Sequence, residues 1–285
     1  MRWLTYLCFS LLVLLLGFSL KSWSSLYQEL NIHATQTTTT SRQAVYAKTE
    51  YLENSNHQKI GFWYFPVNKP KAVVVLVHGY SNPGGKNQMM GHVEYLNHAG
   101  YSALAVDLRS FGSSDGDQIF LGTKEWQDLE TVYDYLFSLP ENQNVKIGYL
   151  GFSMGATTAI NSVAKTGKGD FIIASVPYAS VESLYKFRLN QNNSLSFLPT
   201  KVAILAKFGL SSPKTSPQAL ISKIYVPITI FSAQNDTYIN HKDAQLLYNL
   251  ANEPKEFWQT ETNHDIFSAL PEDFQQHVLS FLDKI

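Results

Sequence analysis

"GYLGFSMGAT", residues 148–157, sets Ser153 between Gly151 and Gly155, directly after the apolar run Val145, Ile147, Tyr149 and Leu150. Gly and Ser are ordinary turn residues, and a G-x-S-x-G spacing alone arises by chance often enough to carry little weight. Its meaning depends on the elements to either side. Upstream, "KAVVVLVHG" at 71–79 is a continuous β-branched run of the kind that fills a parallel strand buried on both faces. "YSALAVDL" (101–108), "VKIGYLGF" (145–152), "FIIASVP" (171–177), "VPITIFSAQND" (226–236) and "KEFWQTE" (255–261) read as further strands. Helical stretches near 87–98, 123–139, 154–166, 240–250 and 271–284 alternate with them. Such alternation predicts a doubly wound α/β sheet, preceded by two strand-like runs at about 43–52 and 59–66 that flank the turn signal "NSNHQ". The alternation breaks between about 180 and 222, which predicts a helical cap insertion of about 40 residues within one domain spanning 43–285.

Ser153 therefore stands between an expected buried strand and an expected helix, the context that gives its motif meaning. A serine hydroxyl is a weak nucleophile at neutral pH and needs a neighbouring base. The small residues at 151 and 155 let the backbone pass close to its neighbours in a sharp strand-to-helix turn. The helix beginning at Met154 aims its free N–H groups at the site, where they favour developing negative charge. Asp236 follows "ITIFSAQN" at the end of one strand, and His264 follows "FWQTETN" at the end of the next. Singly, Asp236 reads equally as an Asx turn or helix cap, and His264 as a loop histidine. Together they put a serine, an acid and a base on one sheet edge, in the order Ser…Asp…His. His78, in the loop after a strand, reads as structural rather than as a base, and His92, His98 and His277 fall on expected helices. A metal site through His78, His92 and Asp107 has no matching ligand spacing. Asp107 and Arg109 are expected to organise the loop "LRSFGSSDG", 108–116, through hydrogen bonds.

The 285 residues are 45% hydrophobic and 16% charged, with 22 basic against 23 acidic residues and a net charge of −1. That describes a globular protein without the basic stripe of a nucleic-acid binder. Residues 3–20, "WLTYLCFSLLVLLLGFSL", carry no charge between Arg2 and Lys21. Trp3 and Trp23 would lie about 30 Å apart along a helix at 1.5 Å per residue, as interfacial aromatics do. The segment 1–23 is expected to be an uncleaved membrane anchor, with a cleaved secretory signal as the alternative, followed by a linker at 24–42. Either outcome puts the globular part outside the cytoplasm, tethered in the first case and secreted in the second. The single cysteine, Cys8, lies in this segment, so the rest of the chain has no thiol chemistry.

His78-Gly79-Tyr80, the stretch from Asp107 to Gly116, Gly151-Phe152-Ser153-Met154-Gly155, Asp236 and Asn263-His264-Asp265 together resemble the α/β-hydrolase superfamily of serine hydrolases, over essentially the whole of 43–285. The chain looks most like the branch holding monoacylglycerol-lipase-like and serine-aminopeptidase-like enzymes and small-cap, membrane-tethered acyl hydrolases. The resemblance implies an oxyanion hole from the backbone N–H groups of Tyr80 and Met154. Asn263 departs from the pattern, because this branch often has glycine before the histidine. The expected activity is cofactor-free hydrolysis of a small-molecule carboxylic ester by Ser153, Asp236 and His264, in a monomer. An amide-bond hydrolase and a non-catalytic binding protein of the same fold are the alternatives. Within "LSFLPTKVAILAKFGL", 195–210, Leu205 and Phe208 are expected to line the acyl pocket as part of a lid, or else to pack on the parent domain.

Overall fold

The computed structural model describes residues 49–80, 85–191, 212–265 and 271–285, with three isolated positions before them. Its strands are β1 (Glu50–Glu53), β2 (Lys59–Phe65), β3 (Ala72–Val77), β4 (Ser102–Val106), β5 (Lys146–Phe152), β6 (Ile172–Ser175), β7 (Ile228–Ala233) and β8 (Lys255–Thr260). They form one sheet in the order β1-β2-β4-β3-β5-β6-β7-β8. β1 and β2 pair antiparallel, as do β2 and β4, while every pair from β4 to β8 is parallel. The helices are α1 (Met90–His98), α2 (Trp126–Ser138), α3 (Met154–Thr166), α4 (Val181–Gln191), α5 (Pro217–Leu220), α6 (His241–Leu250) and α7 (Glu272–Leu282).

The unbroken apolar run of β3 follows from burial on both faces. Val73, Val75 and Val77 share a core with Leu129, Val132 and Leu136 of α2 and with Ala156 and Ile160 of α3. Val74 and Leu76 point the other way, into a core with Val93 and Leu96 of α1 and with Phe274 and Val278 of α7. Alternation of side chains along the strand thus feeds two apolar layers. From β3 the chain crosses to β4 on one side of it, and from β5 to β6 on the other. Strand order reverses there, so the carboxyl ends of β3 and β5 frame the crevice where ligands bind in open α/β sheets.

The expected α/β alternation matches the observed elements, with local refinements. Residues 43–48, the start of the first expected strand, lie outside the described residues, and β1 itself begins at Glu50. The helix expected from 87 opens as a 3₁₀ turn at Lys86–Met89 before α1. Of the cap insertion expected at about 180–222, α4 and residues 212–222 are described, while 192–211, and with them Leu205 and Phe208, lie outside the described residues. So does the segment 3–20 apart from isolated positions. Among the described residues no helix is long and apolar enough to cross a membrane.

One contact fixes how β5 turns into α3. A Cβ on Gly155 would lie 2.1 Å from the Val77 carbonyl oxygen and 2.5 Å from that of His78. A Cβ on Gly151 would lie 2.5 Å from the Gly155 carbonyl oxygen. All of these are backbone atoms, which cannot swing aside as a side chain can. Gly155→Ala should therefore push the start of α3 off the end of β3. The expected cost is about 1–3 kcal/mol, from overpacking. At about 2–4 °C per kcal/mol for a domain of this size, calorimetry will resolve it. An unchanged melting temperature would show that the contact is slack.

Candidate active site

Ser153 sits at the turn between β5 and α3 with φ 54° and ψ −112°. Few non-glycine residues adopt such a backbone, which costs on the order of 1–3 kcal/mol and persists only where the surroundings enforce it. Here the enforcing contacts are visible. The Ser153 N–H donates to the Ser175 carbonyl at the end of β6 (2.9 Å), and Thr157 N–H donates to the Ser153 carbonyl (3.1 Å). That second bond is the first of α3, so the Met154 N–H has no acceptor within its own helix and lies at the positive end of the helix dipole. Ser153 is largely buried.

Asp236 and His264 are brought together by two loops that zip along each other. β7 and β8 end in register at Ala233 and Thr260. Beyond them Gln234 N–H donates to the Thr260 carbonyl (2.8 Å) and Asn235 N–H to the Thr262 carbonyl (3.0 Å). This delivers His264 Nδ1 to 2.6 Å from Asp236 Oδ2. The other oxygen of Asp236 accepts from the N–H groups of Tyr238 (2.7 Å) and Ile239 (2.9 Å). Both carboxylate oxygens are thereby held, and the Asp236 side chain is 2% exposed against 14% for His264. A carboxylate fixed in this way holds Nδ1–H as a donor and leaves Nε2 as the basic nitrogen. Phe152, next to Ser153, puts its ring 4.9 Å from the imidazole. The Ser153 turn and the His264 loop therefore share a wall.

Tyr80 lies three residues past Val77, which pairs with Gly151 in the adjacent strand. The residue thus occupies the same crevice edge as Met154. Its loop is steadied by Gly79 N–H donating to Gln88 Oε1 (2.7 Å) and by edge-on packing of the Tyr80 ring on Phe111. His78 is fully buried, with Nδ1 2.7 Å from the Gly79 carbonyl oxygen and Nε2 accepting from Leu108 N–H at 3.0 Å. This pattern makes Nδ1 the protonated nitrogen, and burial pushes the imidazole below its ordinary pKa. With both nitrogens engaged His78 is a neutral brace, as its position after a strand suggests.

The loop from Asp107 to Gly116 is bound by buried charge. Asp107 pairs with Lys86 Nζ and accepts from the backbone N–H groups of Lys86 (2.7 Å) and Ser113 (2.8 Å). Lys86 Nζ also lies 4.6 Å from the centre of the Trp63 ring. Arg109 pairs with Asp128 of α2 through Nη2 (2.8 Å), and its own N–H donates to the same carboxylate (2.9 Å). A lysine buried at 2% exposure is not legible in the sequence, where Lys86 looks like any solvated residue. Asp243 is a similar case: it accepts from Ser183 Oγ (2.5 Å) and Ala179 N–H (3.0 Å), tying α6 to the base of α4. Burial pushes its carboxyl above the usual range.

Two variants test the strained turn. Ser153→Gly should be more heat-stable than Ser153→Ala, since only glycine relaxes the positive φ. Equal melting temperatures would mean that the turn carries no strain.

The comparisons with known proteins agree with this architecture. Residues 68–216, slightly more than half of the chain, match the family model described as "Serine aminopeptidase, S33". The protein YqkD of Bacillus subtilis is 26% identical over 236 residues, covering 79% of this chain and 75% of that protein. Among solved structures, the esterase Pf2001 of Pyrococcus furiosus superposes with a TM-score of 0.72 at 22% identity, covering 89% of this chain and 97% of that one. An esterase from Exiguobacterium antarcticum gives 0.62 at 16% identity, covering 82% and 98%. At such identities the two structures speak for the fold alone. With the family model covering more than half of the chain, from before β3 to the residue preceding α5, the chain belongs to the serine aminopeptidase S33 family of α/β hydrolases.

Proposed function

We propose that this protein is a serine hydrolase that cleaves carboxylic esters through an acyl-enzyme. The observation that carries the reading is the 2.6 Å pairing of His264 Nδ1 with Asp236, at the sheet edge where Ser153 is held in its turn. His264 Nε2 takes the proton of Ser153 Oγ as that oxygen attacks the acyl carbon. Backbone N–H groups of Tyr80 and Met154 receive the developing oxyanion. The imidazolium, stabilised by Asp236, gives its proton to the departing alcohol, and the same nitrogen then activates the water that releases the acid. No residue of a second chain is needed for these steps.

The same groups can cleave an amide, and the family's description names an aminopeptidase. A panel of p-nitrophenyl esters of increasing acyl length, run beside aminoacyl p-nitroanilides, separates the readings. Esters should turn over, and Ser153→Ala should abolish the activity in a protein that still folds. Asp236→Asn should cost on the order of 10⁴ in turnover by favouring the wrong tautomer. Anilide turnover without ester turnover would reassign the substrate class. Near-normal rates in folded Ser153→Ala would overturn the mechanism.

We also propose that residues 3–20 tether this domain to a membrane with its site outside the cytoplasm, on the strength of their uncharged length. Fractionation with N-terminal sequencing tests the tether. A soluble mature form beginning near residue 20 would make the segment a cleaved signal.

A further inference from the structure

Among the described residues, the rings in contact with His264 are Phe152, at 4.9 Å, and Tyr238, at 5.3 Å. The two differ in burial. Phe152 is 3% exposed, whereas Tyr238 is 54% exposed, one of the few large apolar side chains so placed. The backbone explains how Tyr238 is held there. Its N–H donates to Asp236 Oδ1, the Tyr238 carbonyl accepts from Arg188 Nε of α4 at 3.4 Å, and the next residue, Ile239, is anchored in the core. The chain thus fixes the main chain of residue 238 on three sides while leaving the ring uncovered beside the imidazole.

We infer that Tyr238 is a specificity-determining residue whose ring receives the leaving group, so that the enzyme favours esters of bulky apolar or aromatic alcohols over esters of small alkanols. The inference deepens the proposed ester hydrolysis and rests on it. The proton that frees the alcohol comes from His264, so the alcohol must lie against the imidazole during acylation. Phe152 is sealed into the core and offers it no surface, and Tyr238 does. The ring has no part in deacylation, when the alcohol has left and water has replaced it. Tyrosine supplies a rigid amphipathic face at small entropic cost, the property that makes it a frequent recognition residue.

Methyl and benzyl esters of the same acid, taken from the preferred acyl length, test this directly. Methanol and benzyl alcohol have similar acidity, so the ratio of kcat/KM reads contact with the leaving group and not its intrinsic departure. The wild-type protein should favour the benzyl ester by about tenfold, the scale on which apolar pockets discriminate. Tyr238→Ala keeps the backbone donor to Asp236 and should bring the ratio close to one, while Tyr238→Phe should preserve it. Deacylation, followed after an acyl burst from the p-nitrophenyl ester, is the control step. An equal loss on both esters, with deacylation slowed in parallel, would mean that the ring only steadies His264. An unchanged ratio in Tyr238→Ala would also overturn the inference. A wild-type protein that hydrolyses neither ester and takes no label from a fluorophosphonate would instead remove the proposed function beneath it.

Discussion

The fold of the site depends on how closely the start of α3 approaches the end of β3. Val77 and His78 present their carbonyl oxygens where a Cβ of residue 155 would stand, and Gly155 presents its own where a Cβ of residue 151 would stand. Without side chains at these two positions the chain can reverse within two residues of β5. Ser153 then takes a backbone conformation that is costly in isolation but enforced by its bonds to Ser175 and Thr157. The same approach brings the start of α3 beside the loop that carries Tyr80. A packing constraint between backbones thus sets the position of the serine and of the helix dipole at once.

Around that turn, buried polar groups do the positioning that apolar packing cannot. Lys86–Asp107 and Arg109–Asp128 lock the loop after β4 to its neighbours. Each ion is paired and further hydrogen-bonded, the condition under which charge is tolerated in a core, and removing one partner of such a pair typically costs about 3–5 kcal/mol. His78 braces the loop after β3 while remaining neutral. Asp236 differs from these only in what it holds. Two backbone donors fix one oxygen, and the imidazole of His264 engages the other. Beside that pair the ring of Tyr238 stays exposed.

Much of this was legible in the chain itself. The continuous run of β3 announced a strand covered on both faces, and the alternation after it announced the sheet. Asp236 and His264 could be placed on one sheet edge because each follows a strand, and strand ends in a parallel sheet converge on one edge. His78 read as structural rather than as a base, and its two hydrogen bonds bear that out. What escaped depends on contacts between loops distant in sequence. Lys86 has no local mark of burial, since its partner Asp107 follows β4 and the Trp63 ring beside it belongs to β2. Asp243 looks like a helix-start carboxylate, yet it binds Ser183 at the base of α4. Phe152 reads as the variable position of the serine motif, and Tyr238 as a loop residue. Only the folded sheet puts both rings on His264.

In the proposed mechanism Ser153 is a nucleophile activated by His264. Its most direct measurement is peptide-mapped mass spectrometry of the protein after brief exposure to a fluorophosphonate. A single adduct is expected, carried by the peptide containing Ser153, with labelling strongly slowed in His264→Ala. No adduct on folded protein, or an adduct at another serine while Ser153 stays unmodified, would contradict it.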